Sequence, residues 1–97
     1  MPHYRVLLEG RNFWLKLDDA PERMGFYTTR FVEAAGEAEA EHIAVDLLRS
    51  EGKLTPLNDR SDPPMVFVDE IGEVSREDVP GVVQGFAFFA DERESNA

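Results

Sequence analysis

The residues that could do chemistry in this chain are few and scattered. His42 and Asp46 stand one helical turn apart, the spacing of an acid–base pair or of an i, i+4 surface link. A general base needs a nucleophile or an orienting partner beside it, and none stands near His42 in the sequence. The pair therefore reads as a solvated link on a helix. Asp18 with Asp19, Asp59 with Asp62, and Asp69 with Glu70 and Glu73 are carboxylate groups. Hard cations need several oxygens converging on one point. None of these groups has the alternating oxygens and central glycine of an EF-hand loop, so they read as solvated acidic stretches. Paired-carboxylate glycoside chemistry needs a cleft, for which a domain of this size has little room. Thr28-Thr29-Arg30 puts hydroxyls and a cation on a strand, and its plainer reading is cross-strand pairing. No Gly-rich run opens a helix to cradle a phosphate. Cysteine is absent, which excludes disulfides, zinc–thiolate sites and thiol catalysis. No catalytic residue, metal or cofactor is assigned, and enzyme activity is not expected.

Charge narrows the partners further. Ten basic residues face twenty acidic ones, for a formal charge of −10 over 97 residues. The first 24 residues hold four of each sign, whereas residues 53–97 hold four basic and ten acidic. Trp14 and Tyr27 could stack on bases, but this field repels phosphate backbones and anionic lipid. Neither nucleic-acid nor membrane binding is expected, and a partner chosen by charge would be basic. There is no signal-peptide pattern at the start and no apolar run long enough to span a bilayer, so the expectation is a cytoplasmic protein.

The elements that must position these residues follow from periodicity. The chain reads as one domain over residues 1–97, able to bury roughly 65% of its unfolded surface, with residues 91–97 as a frayed acidic tail. His3 to Glu9 reads as a strand, Gly10-Arg11-Asn12 as a tight turn, and Phe13 to Leu17 as a second strand. Residues 18–25 read as a polar loop containing Pro21 and Gly25. Phe26 to Ala34 is the third strand, with the strongest β-propensity in the chain.

A helix follows over Glu37 to Glu51. Gly36 is its N-cap, and Glu37, Glu39 and Glu41 favour the positive end of its dipole. Ala40, Ile43, Ala44, Leu47 and Leu48 form its apolar stripe, and Gly52 its stop. After a polar loop, Met65 to Ile71 is a fourth strand, Ser75 to Val79 one helical turn, and Val82 to Ala90 a strand or extended segment. The fold class is α+β: an antiparallel β-meander ordered β-β-β-α-β, with a strand or extended segment at the C-terminus and one main helix on one face.

One helix covers only one face of such a sheet, and the other should be polar if it meets water. The alternation leaves Leu7, Trp14, Tyr27 and Phe31 candidates for that second face. Either the Phe86-Phe88-Phe89 segment folds back over them, or the bare face or an edge strand pairs with a second copy or another protein.

Two resemblances bear on this. At Leu8-Glu9-Gly10-Arg11-Asn12-Phe13 and at Gly25 through Ala34 the chain resembles small uncharacterised bacterial proteins of about this length. Over Val32 to Ala44, an Ala-rich helix entered directly from a strand, it also resembles the HicB-type antitoxin domain. That resemblance implies a partner-binding module without chemistry of its own. It lacks the appended DNA-binding segment and a matching C-terminal part, and no functional residue is carried across.

The function these readings favour is a non-enzymatic cytoplasmic protein–protein interaction module, in one form a homodimer, with Trp14, Tyr27 and Phe31 as its contact surface. The alternative is a small ligand-binding protein or enzyme with a site between the 18–24 loop and the C-terminal segment.

Overall fold

The computed structural model describes residues 1–17, 20–50, 56–58, 60–81 and 85–91. Strand β1 spans His3–Leu17 and β2 spans Ala20–Glu33; helix α1 spans Glu37–Ser50; β3 spans Met65–Val74 and β4 Phe86–Ala90. A 3-10 turn at Arg76–Asp78 follows Ser75, as the sequence suggested. The four strands form one antiparallel sheet in the order β3-β1-β2-β4, with α1 packed across β1, β2 and β3. The expected α+β class is the one observed. Among the described residues no helix is long and apolar enough to cross a membrane.

The strand boundaries differ from expectation in one instructive place. The turn expected at Gly10-Arg11-Asn12 is a bulge inside a single 15-residue strand. Gly10 pairs with Phe26 and Phe13 with Met24, so Arg11 and Asn12 of β1 stand opposite Gly25 alone, one extra residue on β1. Asn12 takes φ 61°, a left-handed conformation that asparagine tolerates in a bulge as readily as in a turn. Residues 20–25, expected as loop, continue β2, and the hairpin closes where Leu17 pairs with Ala20. Pro21 is compatible with this because, among the described residues, β4 pairs β2 from Met24 to Thr28 and leaves β2 an edge at the proline. Two strands, not three, therefore precede the helix. Asp18, Asp19, the expected helix stop at Gly52, Asp59, Val82 to Gln84 and the tail beyond Asp91 lie outside the described residues.

Helix α1 keeps its expected start. The Ala40 amide donates to the Gly36 carbonyl at 3.0 Å, and the Ala35 amide donates to Glu39 Oε1 at 2.7 Å, a side chain reaching back to an unpaired amide. The face it buries is Ala40, Ala44 and Leu48, with Ile43 and Val45 half-buried beside them. Leu47, expected in the stripe, is 42% exposed. The seam runs along i, i+4, i+8, and its two alanines let the helix settle close to the sheet.

Beneath the helix lies the core. Tyr4, Val6, Leu8, Phe13 and Leu15 of β1 meet Phe26 and Val32 of β2, with Ala34 below the helix start. Phe26 is fully buried at its centre. It stands edge-on to Phe13 at 5.0 Å, Phe86 at 5.1 Å and Phe88 at 6.0 Å between ring centroids, the arrangement that aromatic quadrupoles favour. Gly10 makes this possible: the Phe26 ring occupies the position a Gly10 side chain would need.

Candidate functional site

The register of the sheet sorts every side chain to one face or the other, because directly paired residues point the same way. Tyr4, Val6, Leu8, Phe13 and Leu15 face the helix. Leu7, Glu9, Arg11 and Trp14 therefore face away, and so do their partners Thr29, Tyr27 and Arg23 on β2. Arg5 pairs with Phe31, placing that ring on the same open face. Strand β3 adds Phe67 opposite Glu9 and Met65 opposite Arg11, while β4 adds Phe89 opposite Gly25.

The three residues read from the sequence as a contact surface, Trp14, Tyr27 and Phe31, thus lie on one face. Trp14 and Phe31 are half-buried, Tyr27 is 41% exposed and Phe67 42% exposed. The C-terminal segment does not fold over them. Phe86 to Ala90 is an edge strand beside β2, and it sends Phe86 and Phe88 to the helix side. Only Phe89 reaches the open face, where its ring sits 5.4 Å from that of Tyr27. Among the described residues, no element lies across this face. Phe67 is not among the residues the sequence points to, and Phe89, expected as part of a cover, is part of the face itself. They belong to it through the pairing of β3 and β4, which short-range alternation does not specify.

The charges on the open face nearly balance, four side-chain cations against five carboxylates with Asp91 counted. Arg5, Arg11, Lys16 and Arg23 supply the cations. Glu9, Glu33 and Glu70 face the same way by register. Asp69 is the extra residue of a second bulge, between the pairs Leu7–Glu70 and Leu8–Val68, and its carboxyl lies beside that of Glu9. Arg5 approaches Glu70 at 3.7 Å and Arg11 approaches Glu9 at 3.1 Å. Desolvation, then the neighbouring Glu9, its hydrogen bond and Glu70, push the Asp69 carboxyl above its ordinary range. A raised carboxyl penalises the folded state above its folded pKa, and the penalty disappears as pH falls below the unfolded value of about 3.9. Asp69→Asn should therefore raise Tm near neutral pH and leave it unchanged in strong acid. An equal shift at both pH values in a melting series would show that charge is not the cause.

A buried polar knot fixes one end of this face. Asp91, 4% exposed, accepts the Asn12 backbone amide at 2.7 Å through Oδ2. Its Oδ1 accepts Arg11 Nη2 at 2.6 Å and Nε at 3.2 Å. Its backbone exchanges two bonds with Arg23: the Asp91 amide donates to the Arg23 carbonyl, and Arg23 Nε donates to the Asp91 carbonyl at 2.8 Å. Burial pushes the Asp91 carboxyl up. The bonds from Arg11 and Asn12, with the charges of Arg11 and Arg23, outweigh it and hold the group below its ordinary range. The Arg11 guanidinium is pushed up, first by its bond to Asp91 and then by Glu9, and lies 5.4 Å from the Phe89 ring centre. Asn12 Nδ2 donates to Asp62 Oδ1 at 2.9 Å, and Asn58 Nδ2 donates to the Asn12 carbonyl at 2.7 Å, tying the loop before β3 to the bulge.

The remaining candidates do not converge. His42 and Asp46 are exposed on the flank of α1, beside an open groove of about 500 Å³ along Val66 to Val68. Asp62 serves as an acceptor for Asn12, Asp69 and Glu70 face the open side, and Glu73 faces the helix side. Thr28 and Arg30 are buried under the helix, Arg30 donating to Thr28 and stacking over Phe86. Among the described residues no group of three or more His, Asp or Glu side chains is placed to hold a metal ion. Where the alternative ligand site was expected, between residues 18–24 and the C-terminal segment, β4 begins its pairing with β2 at Met24 and Arg23 engages Asp91. A cavity of about 160 Å³ between Phe13, Leu48, Pro56, Pro64 and Val66 falls below the roughly 300 Å³ at which small-molecule sites begin. No protein-family model, curated protein or solved structure matches the chain.

Proposed function

We propose that this chain is a non-enzymatic cytoplasmic interaction module that binds a protein through the open face of its sheet. One observation carries the reading. Leu7, Trp14, Tyr27, Phe31, Phe67 and Phe89 lie together on a face that no described element covers; Tyr27 and Phe67 are just over 40% exposed and the other four half-buried. A monomer gains nothing by holding large aromatics at a water interface. A contact surface uses them, because their area is large and their rotamers few. The likeness to HicB-type domains implies the same class of function. The scattered carboxylates and the engaged Arg30 give no competing chemical reading.

The test is affinity capture from the native host with the tagged full chain, beside the double variant Tyr27→Asp, Phe31→Asp. A second copy of the chain or another protein should be retained in stoichiometric amount by the natural chain and lost from the variant. Identical retention by both would place the contact elsewhere.

A further inference from the structure

We propose that the occupant of the open face is a second copy of this chain, packed face to face about a two-fold axis as a β-sandwich. This rests on the interaction reading above and names its partner.

Three observations select the occupant. The first is charge. The chain carries −10, yet the open face, with Asp91 counted, holds four side-chain cations and five carboxylates, so the remaining surface carries nearly the whole excess. A basic partner finds little net field on this face. A second copy meets less net repulsion here than over the rest of the surface, which carries most of the excess charge. A face pairing with itself across a two-fold axis needs both signs on one patch, and this patch has them.

The second is area. Strand residues advance about 3.3 Å each and neighbouring strands lie about 4.8 Å apart, so the four strands tile roughly 700 Å². A stable interface buries about 800 Å² on each partner. The flanking side chains make up the difference.

The third is the state of the edges, the rival way to join two sheets. The outer strand β3 carries Asp69, Glu70 and Glu73 and is interrupted by the Asp69 bulge. Charge and a bulge are the devices that keep edges from pairing, and two β3 strands side by side would bring six carboxylates together. The other outer strand, β4, is only five residues long. Face-to-face packing at about 10 Å separation lets the two aromatic layers interdigitate and leaves the edges free.

Sedimentation equilibrium and light scattering on the full chain, over a micromolar to near-millimolar series, test this. The natural chain should pass from monomer to dimer. Tyr27→Asp with Phe31→Asp should weaken the dimer about tenfold or more, and Tyr27→Ser, a milder change at an exposed position, should weaken it measurably while keeping the native circular dichroism. Glu73→Lys should leave it unchanged. A dimer indifferent to the Tyr27 variants but strengthened by Glu73→Lys would overturn the proposal in favour of edge pairing. A monomer throughout, with a different host protein still released by the double variant, would overturn the second copy but keep the interaction reading. A monomer with no Tyr27-dependent capture would overturn both.

Discussion

Phe26→Ala is expected to remove about 3–5 kcal/mol of folding stability. The ring is fully buried and meets three other aromatic rings, and Gly10 has left it the space where a side chain would stand. Truncation empties a point in the core where β1, β2 and β4 share packing, and the glycine beside it has no side chain to fill it. A chain of this length has a total stability of about 5–15 kcal/mol, so the loss is a large share of the whole. Urea unfolding followed by circular dichroism measures it. Phe88→Ala is the comparison, because Phe88 keeps 47% of its surface exposed and only about half of its area leaves water on folding. It should cost roughly half as much, about 1.5–2.5 kcal/mol. Equal losses from the two variants would mean that the core is not centred on Phe26. Dilute samples are needed, since dimerisation adds stability that depends on concentration.

Asp91→Ala is expected to cost about 3 kcal/mol, for a reason the ion pair alone does not supply. Arg11 is 40% exposed, so its guanidinium can return to water when its partner is lost. The Asn12 amide cannot: it is buried, and Asp91 Oδ2 is its acceptor. An unsatisfied buried donor costs about 1–3 kcal/mol, and a lost bond to a charged acceptor about 1.5–3 kcal/mol, two overlapping measures of the same contact. Loosening of β4 from β2 adds to it. Asp91→Asn, which keeps an acceptor, should cost less. The sign of the pH dependence follows from the lowered carboxyl. Its contribution is fully present above the unfolded value of about 3.9 and fades as pH falls through the lower folded value. Asp91→Asn should therefore flatten the acid limb of the stability curve, opposite in sense to Asp69→Asn. A variant whose acid limb matches the natural chain would assign the knot no electrostatic role.

The two variants also mark what the sequence could and could not reveal. The helix was legible because its signals are local: a glycine cap, acids in the first turn, and a stripe at helical period. Within the expected stripe Leu47 departs, because the buried seam runs through Ala40, Ala44 and Leu48 and leaves it on the exposed side. Strands β1 and β2 were misjudged at Gly10 to Asn12 and at Pro21 to Gly25. Glycine, asparagine and proline allow a turn, but bulges and edges use the same backbone freedom, and the partner strand decides between them. Asp91 looked like the start of a tail. Its role depends on residues about 80 positions away, and no local pattern marks it. Trp14, Tyr27 and Phe31 could be read as a set because alternation within a strand is local. Phe67 and Phe89 join them only through strand order.

The account turns on the open face being covered when the protein is assembled, and the chain carries its own probe of that. Trp14 is the single tryptophan, and it lies on this face. Acrylamide quenching of its fluorescence, measured as the chain is concentrated, reads directly whether the face leaves water. The account predicts that quenching weakens along the same curve as dimer formation, and that the Tyr27→Asp, Phe31→Asp variant keeps the dilute value throughout. Quenching that stays constant while the chain dimerises would contradict it, because the copies would then be joined by some other surface.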